Sequence, residues 1–142
     1  MSTKLIPTTG ATGAWIDWVP TYNGFTVGNA TVTARYLQID KTIYAYIKIV
    51  LGSTSSVSGD FSFTLPKNSK MAYPVPMGSA SVEDTGTTMR PCFTVNTSVG
   101  VCTIRCINAS ATYVSEANFS STVPQTWVST DSIVANIVYE VA

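Results

Sequence analysis

The 142-residue sequence contains no histidine. Histidine is the side chain that enzymes use most often as a general base near neutral pH, and it is also the commonest metal ligand. Its absence excludes catalytic arrangements of the Ser-His-Asp and Cys-His kinds. Phosphate-binding, dinucleotide-binding and serine-elbow motifs are missing as well. We therefore expect a protein that is not an enzyme and that binds neither a cofactor nor a metal ion.

Charged residues are scarce. They make up 11% of the chain, and eight Lys and Arg balance eight Asp and Glu, against roughly 25% charged residues in soluble domains. Without a basic patch, we expect no nucleic-acid partner and no electrostatic attraction to membranes. The apolar runs are too short to cross a bilayer, and the N-terminus lacks the apolar core of a signal peptide. These absences predict that the chain is synthesised in the cytosol and is not inserted into a membrane.

The three cysteines are Cys92, Cys102 and Cys106. An odd number does not imply a closed disulfide framework, so free buried thiols are the simpler interpretation. Cys102 and Cys106 fall on one face of a predicted strand, and Cys92 lies across a predicted hairpin. Three thiolates and a carboxylate could bind zinc, but their spacing along a strand is not that of a zinc knuckle.

Alternating apolar and polar residues dominate the chain, and no segment shows sustained helical periodicity. Residues 1–14 form a small, polar N-terminal arm, and residues 15–142 form a single domain. We expect an all-β, jelly-roll-like antiparallel β-sandwich of about eight strands. Besides the first hairpin, the predicted strands are 61–65, 78–82, 90–95, 101–107, 112–114, 118–120 and 132–141.

The first predicted hairpin spans residues 33–53. If Asp40 and Lys41 form a two-residue turn, Ile39 lies opposite Thr42 and the register of both strands follows. One face then points to the core and carries Val32, Ala34, Tyr36 and Gln38 together with Ile43, Ala45, Ile47 and Ile49.

The other face of this hairpin is also partly apolar. Leu37 falls opposite Tyr44, and Arg35 falls opposite Tyr46, where guanidinium and ring could stack. The last strand likewise carries apolar residues on its second face. A sandwich needs only one apolar face per strand, so we expect another subunit to cover the second. The predicted subunit interface contains Arg35, Leu37, Tyr44, Tyr46, Val134 and Val138.

Trp15 and Trp18 are expected to plug one end of the sandwich or to dock on a neighbouring protein, and they are also candidates for ligand binding. A carbohydrate-stacking platform is the alternative to packing for this pair. Trp127 is expected to anchor the core or an interface. Asp40 and Asp131 are interpreted as turn residues. Turn and solvation roles are more economical for the carboxylates than a glycosidase pair.

Several stretches resemble a β-rich domain that is common in bacteriophage minor tail proteins and other virion proteins. They include residues 15–21 (WIDWVPT), 24–36 (GFTVGNATVTARY), 51–55 (LGSTS) and 63–66 (FTLP), with Trp127, Ile133 and Tyr139 in the closing segment. The resemblance extends from about residue 14 to the end. Ala30 and Asp40 depart from it, because glycine is expected at both positions.

The resemblance implies a virion component assembled in the host cytoplasm, usually a trimer of jelly-roll-like subunits. We expect a tail or fibre-type module whose loops 53–59, 67–78 and 83–88 meet a receptor or glycan on the host surface. Its partners are then a homotrimer, other virion proteins and a host glycan. A capsid decoration protein is the alternative, favoured by the short arm before the domain. A fragment of a polysaccharide depolymerase comes third.

Overall fold

A computed structural model describes residues 13–71 and 74–142, so most of the expected N-terminal arm lies outside the described residues. Within these ranges the chain forms strands and no helix, and every strand pairing is antiparallel. The strands, β1 to β10, are Ile16–Asp17, Tyr22–Thr26, Thr31–Ile39, Thr42–Val50, Ser56–Thr64, Val75–Asp84, Thr88–Ser98, Val101–Asn108, Ser115–Asn118 and Ser132–Glu140.

The strands form a single sheet that curls into a half-barrel. Its order is β1-β3-β4-β10-β6-β7-β8-β5-β2, and β9 adds to β8 outside this path. The all-β class is confirmed, whereas the jelly-roll-like sandwich is not. The count of about eight strands is too low, because the short segments that contain β1 and β2 also pair. The predicted strand at 112–114 is wrong, and β9 lies at Ser115–Asn118 in place of 118–120.

The register predicted for the first hairpin is confirmed. Ile39 pairs with Thr42, Leu37 with Tyr44 and Arg35 with Tyr46. Asp40 in the two-residue turn has a φ of 52°, a left-handed conformation that aspartate tolerates and glycine adopts freely.

The core lies on the inner face of the curled sheet. The longer strands supply alternate residues, as the two-residue period of a strand requires. The predicted inward residues of β4 and β10 are buried: Ile43, Ala45, Ile47, Ile49, Ile133, Ala135, Ile137 and Tyr139. Phe61 lies at the centre of an aromatic cluster, with ring centroids 5.4 Å from Phe25 and 5.9 Å from Phe119.

The second hairpin joins β7 to β8 and carries the cysteines. Cys92 pairs directly with Cys106, whereas Cys102 pairs with Asn96 further along the strands. All three thiols are buried and free, as the sequence predicts.

Asp131 connects loops that are far apart along the chain. Its side chain is fully buried and accepts hydrogen bonds from the backbone N–H of Thr85 (3.1 Å) and of Val128 (2.9 Å) and from Gln125 Nε2 (2.9 Å). Its backbone carbonyl accepts a bond from the N–H of Leu51 at 2.9 Å. Asp131 is therefore a turn residue, as predicted, and also a buried link between three loops at one end of the sheet.

We predict that Asp131→Ala lowers the free energy of unfolding by about 2–4 kcal/mol, because it leaves buried donors without a partner. The matched control is Asp84→Ala in the adjacent turn, where the backbone carbonyl rather than the side chain accepts the bonds of Thr87. We expect the control to change the free energy by less than about 0.5 kcal/mol. Urea denaturation followed by circular dichroism measures both, and equal effects would contradict the role assigned to Asp131.

Candidate functional site

The outer face of β1, β3, β4 and β10 carries an apolar groove of about 350 Å³. We call it the outer groove. Leu37, Tyr44 and Val138 form one row across three neighbouring strands, because Tyr44 pairs with both of the others. The side chains that line it are Trp15, Leu37, Ile39, Tyr44, Tyr46 and Val138, with Asn136 at its side.

Trp15 forms one wall of the outer groove. The short strand β1 runs beside β3, with Asp17 paired to Arg35, and this places the Trp15 ring edge-on to Tyr46 at 5.5 Å. Arg35 Nε donates to Asp17 Oδ1 at 2.8 Å, and Arg35 Nη2 donates to the Trp15 carbonyl at 3.4 Å. The sequence suggested that the Arg35 guanidinium stacks on the Tyr46 ring. In the structure the Trp15 ring contacts Tyr46 instead, and Arg35 holds β1 in place.

The structure brings together four of the six predicted interface residues. Leu37, Tyr44, Tyr46 and Val138 line the outer groove. Val134 shares their face but lies further along β10, paired with Lys48 and Ser81. Arg35 is turned to Asp17.

The predicted subunit interface did not include Trp15 or Ile39. Alternation along β3 does place Ile39 on the same face as Leu37, two residues away. No local signal indicates that Trp15 joins the groove, because this depends on the pairing of β1 with β3.

Trp18 packs on the core and not in the outer groove. Its Nε1 donates to the Thr64 carbonyl at 3.1 Å, and its backbone N–H donates to the Ala34 carbonyl at 3.1 Å. Trp18 therefore ties β3 to the end of β5 across the open side of the curled sheet. Trp15 and Trp18 line separate cavities, so a common stacking platform for one sugar is not formed.

A cavity of about 400 Å³ lies at this open side, between Trp18 and Tyr22. The ring of Tyr22 packs edge-on against Phe25 at 5.3 Å. Its hydroxyl is buried and has no hydrogen-bond partner among the described residues. Burial raises the pKa of Tyr22 to about 12, since removal from water disfavours the phenolate.

Two carboxylates meet at Arg105 on β8. Its Nη1 lies 2.5 Å from Asp60 Oδ1, its Nε lies 3.8 Å from Glu116 Oε2, and Asn118 also accepts from it. A guanidinium thus occupies the space that a substrate would need between paired glycosidase carboxylates. In residues 13–71 and 74–142, no group of three or more Cys, Asp or Glu side chains is placed to hold a metal ion.

Trp127 packs beside Phe119, with ring centroids 5.6 Å apart, and its Nε1 donates to the Ser120 carbonyl at 2.9 Å. It therefore anchors the loop before β10 to the core, one of the two roles predicted for it.

Comparison with protein-family models, with curated proteins and with solved structures finds no match to this chain. The described part of the chain also contains no helix with the length and apolar character needed to span a membrane. Function is therefore inferred from the side chains themselves and from the resemblance of the sequence to virion domains.

We predict that Tyr22→Phe leaves the free energy of unfolding within about 0.5 kcal/mol of the parent or raises it, because the lost hydroxyl has no partner. Tyr139→Phe is the matched control. The Tyr139 hydroxyl donates to the Lys67 carbonyl at 2.8 Å and accepts from the Lys67 N–H at 3.3 Å, so its loss costs about 1–2 kcal/mol. Urea titration at neutral pH measures both. A larger loss for Tyr22→Phe would show that its hydroxyl is hydrogen-bonded.

The raised pKa of Tyr22 also predicts a pH dependence. In the unfolded chain tyrosine ionises near pH 10, whereas folded Tyr22 keeps its proton to about pH 12. The folded state then binds more protons in this window, so its stability falls as pH rises from about 10 to 12 and is unaffected below it. The decline should be shallower in Tyr22→Phe, measured as urea midpoint against pH. Parallel curves would contradict the assignment.

Proposed function

We propose that this protein is a structural component of a bacteriophage virion, a tail or fibre-type module without enzymatic activity. It associates with copies of itself through the outer groove and presents loops to the host surface. The observation that carries the proposal is the apolar groove on the face of β3, β4 and β10 that points away from the core. The resemblance of the sequence to virion domains supports the same role.

The apolar side chains of the outer groove are more stable when a protein partner covers them than when they are exposed to water. Tyr44 is 43% exposed and Val138 48% exposed, although alternation usually gives this face polar residues. A contiguous apolar patch of this kind marks an interaction surface. Among residues 13–71 and 74–142, no charged side chain lines the groove, so a neutral surface suits it as a partner.

A second copy of the chain satisfies this requirement. The same groove offers apolar, uncharged side chains, and the net charge of zero gives no long-range repulsion between copies. Closed symmetric assemblies are the usual form of self-association. We propose a trimer of jelly-roll-like subunits, which is the assembly that the sequence resemblance implies.

The host-facing surface proposed here is the end of the sheet that carries Asp131. The loops 51–55, 85–87, 109–114 and 119–131 meet at this end, as the strand registers require. They are rich in Ser and Thr, and Tyr113 is 85% exposed among them. Such side chains suit hydrogen bonding to a glycan and stacking on a sugar ring. The loop that begins at Lys67 lies at the opposite end.

The first test is the molar mass of the purified chain by light scattering on a sizing column. We expect a trimer, three times 15.1 kDa. The double variant Tyr44→Thr, Val138→Thr should elute as a monomer, because it removes the middle of the groove and keeps β-compatible residues. The control, Tyr113→Thr, removes an aromatic of greater exposure outside the groove and should remain a trimer.

A monomeric parent, or a double variant that remains a trimer, would contradict self-association through this groove. A monomeric parent would favour a capsid decoration protein, whose groove is covered by another virion protein. Antibody labelling of phage particles then distinguishes the two roles, since it marks the tail for the proposed module and the head for a decoration protein. The absence of label from particles would contradict both.

A further inference from the structure

Cys92 and Cys106 are a matched pair of thiols on adjacent strands. They lie directly opposite each other in the β7–β8 ladder. Opposite residues of antiparallel strands have Cα atoms about 4.5–5.5 Å apart, which falls within the range of about 4.4–6.8 Å that a disulfide requires. Both side chains belong to the same buried core cluster. The Cα spacing of the pair is therefore compatible with a disulfide.

An open cavity of about 550 Å³ leads to this pair. Cys106 is only 3% exposed, yet it lines the cavity floor beside Ala117. Met89 and Ile107 are both exposed along its wall, and Arg90 supplies a positive charge. Cys106 is thus the thiol of the pair that borders the cavity, and a small reagent would approach the pair from this side.

We propose that Cys92 and Cys106 form a reactive dithiol, which a low-molecular-weight disulfide entering this cavity converts into an intramolecular disulfide. Cys92 loses its proton first; the proton of Cys106 then passes to Cys92, and the Cys106 thiolate, which borders the cavity, attacks one sulfur of R–S–S–R, forms a mixed disulfide and displaces R–S⁻. The thiolate of Cys92 then attacks the Cys106 sulfur and displaces the second R–S⁻. The two cysteine protons end on the leaving groups, so the chain is oxidised by two electrons and R–S–S–R is reduced to two R–SH.

The surroundings of the pair support this chemistry. The hydrogen bond from the Cys106 thiol lowers the pKa of Cys92, although burial opposes this, and the same bond raises the pKa of Cys106. Two interacting thiols titrate as a pair, so loss of the first proton belongs to both sulfur atoms. Arg105 favours ionisation of Cys106. Arg90 in the cavity suits a disulfide that carries carboxylates, such as oxidised glutathione.

Cys102 provides an internal control. It lies on the same strand face as Cys106 but four residues away, about 13 Å along a strand, and it is fully buried. Burial raises the pKa of Cys102 to about 12, so it is neither within reach of the pair nor readily ionised. Oxidation should therefore select Cys92 and Cys106 and leave Cys102 reduced.

The experiment treats the folded, reduced full chain with oxidised glutathione, alkylates the remaining thiols and maps tryptic peptides by mass spectrometry. Trypsin cleaves after Arg105 and not between Arg90 and Pro91, so Cys106 leaves the peptide that carries the other two cysteines. We expect the parent and Cys102→Ala to lose two hydrogen atoms each and to give peptide 71–105 linked to 106–142. Cys92→Ala, which cannot close the disulfide, should stop at one added glutathione on Cys106.

Linkage of the two peptides in Cys102→Ala identifies Cys92 and Cys106 as the pair without need of further variants. The proposal would be overturned if the parent and Cys102→Ala stayed reduced while folded and oxidised only in guanidinium. It would equally be overturned if the cross-link contained Cys102. The readout is a covalent mass, so it does not depend on the oligomeric state or on the role of the chain in a virion.

Discussion

The two-residue turn at Asp40 and Lys41 sets the parity on which most of the sheet depends. Because side chains alternate along a strand, a slip of one residue would turn every inward residue of β4 to solvent. β4 pairs with β3 on one side and with β10 on the other, so its parity is carried to both neighbours and from β10 to β6. Placing Ile43 in the core requires that Tyr44 points outward. The same turn therefore determines which residues of these strands form the core and which form the outer groove.

Features with local signals were predictable from the sequence. The register of the first hairpin follows from one turn, and the inward faces of β4 and β10 follow from alternation. The second hairpin and the burial of its cysteines follow from the same reasoning. Most of the outer groove was found in this way, because Leu37, Tyr44, Tyr46 and Val138 occupy outward positions on strands that were correctly predicted.

Features that depend on contacts between distant segments were not predictable. The pairing of β2 with β5 and of β1 with β3 produces a single curled sheet, and nothing in the composition of these short segments indicates their partners. The separation of Trp15 from Trp18 has the same origin. Asp131 is typical of a turn residue in sequence, and its burial becomes apparent only when Thr85 and Gln125 surround it.

The two faces of the curled sheet place different demands on substitution. Inward residues such as Ile47 contact the core on all sides, and their loss leaves a cavity that lowers stability. Outward residues such as Tyr44 and Val138 have only same-face neighbours, so they can change while the core stays packed. The thiol pair belongs to the inner face, where the strand ladder positions it regardless of what covers the outer groove. Association through the outer groove and oxidation of the thiols can therefore be separated by mutation, because each depends on a different face of the same sheet.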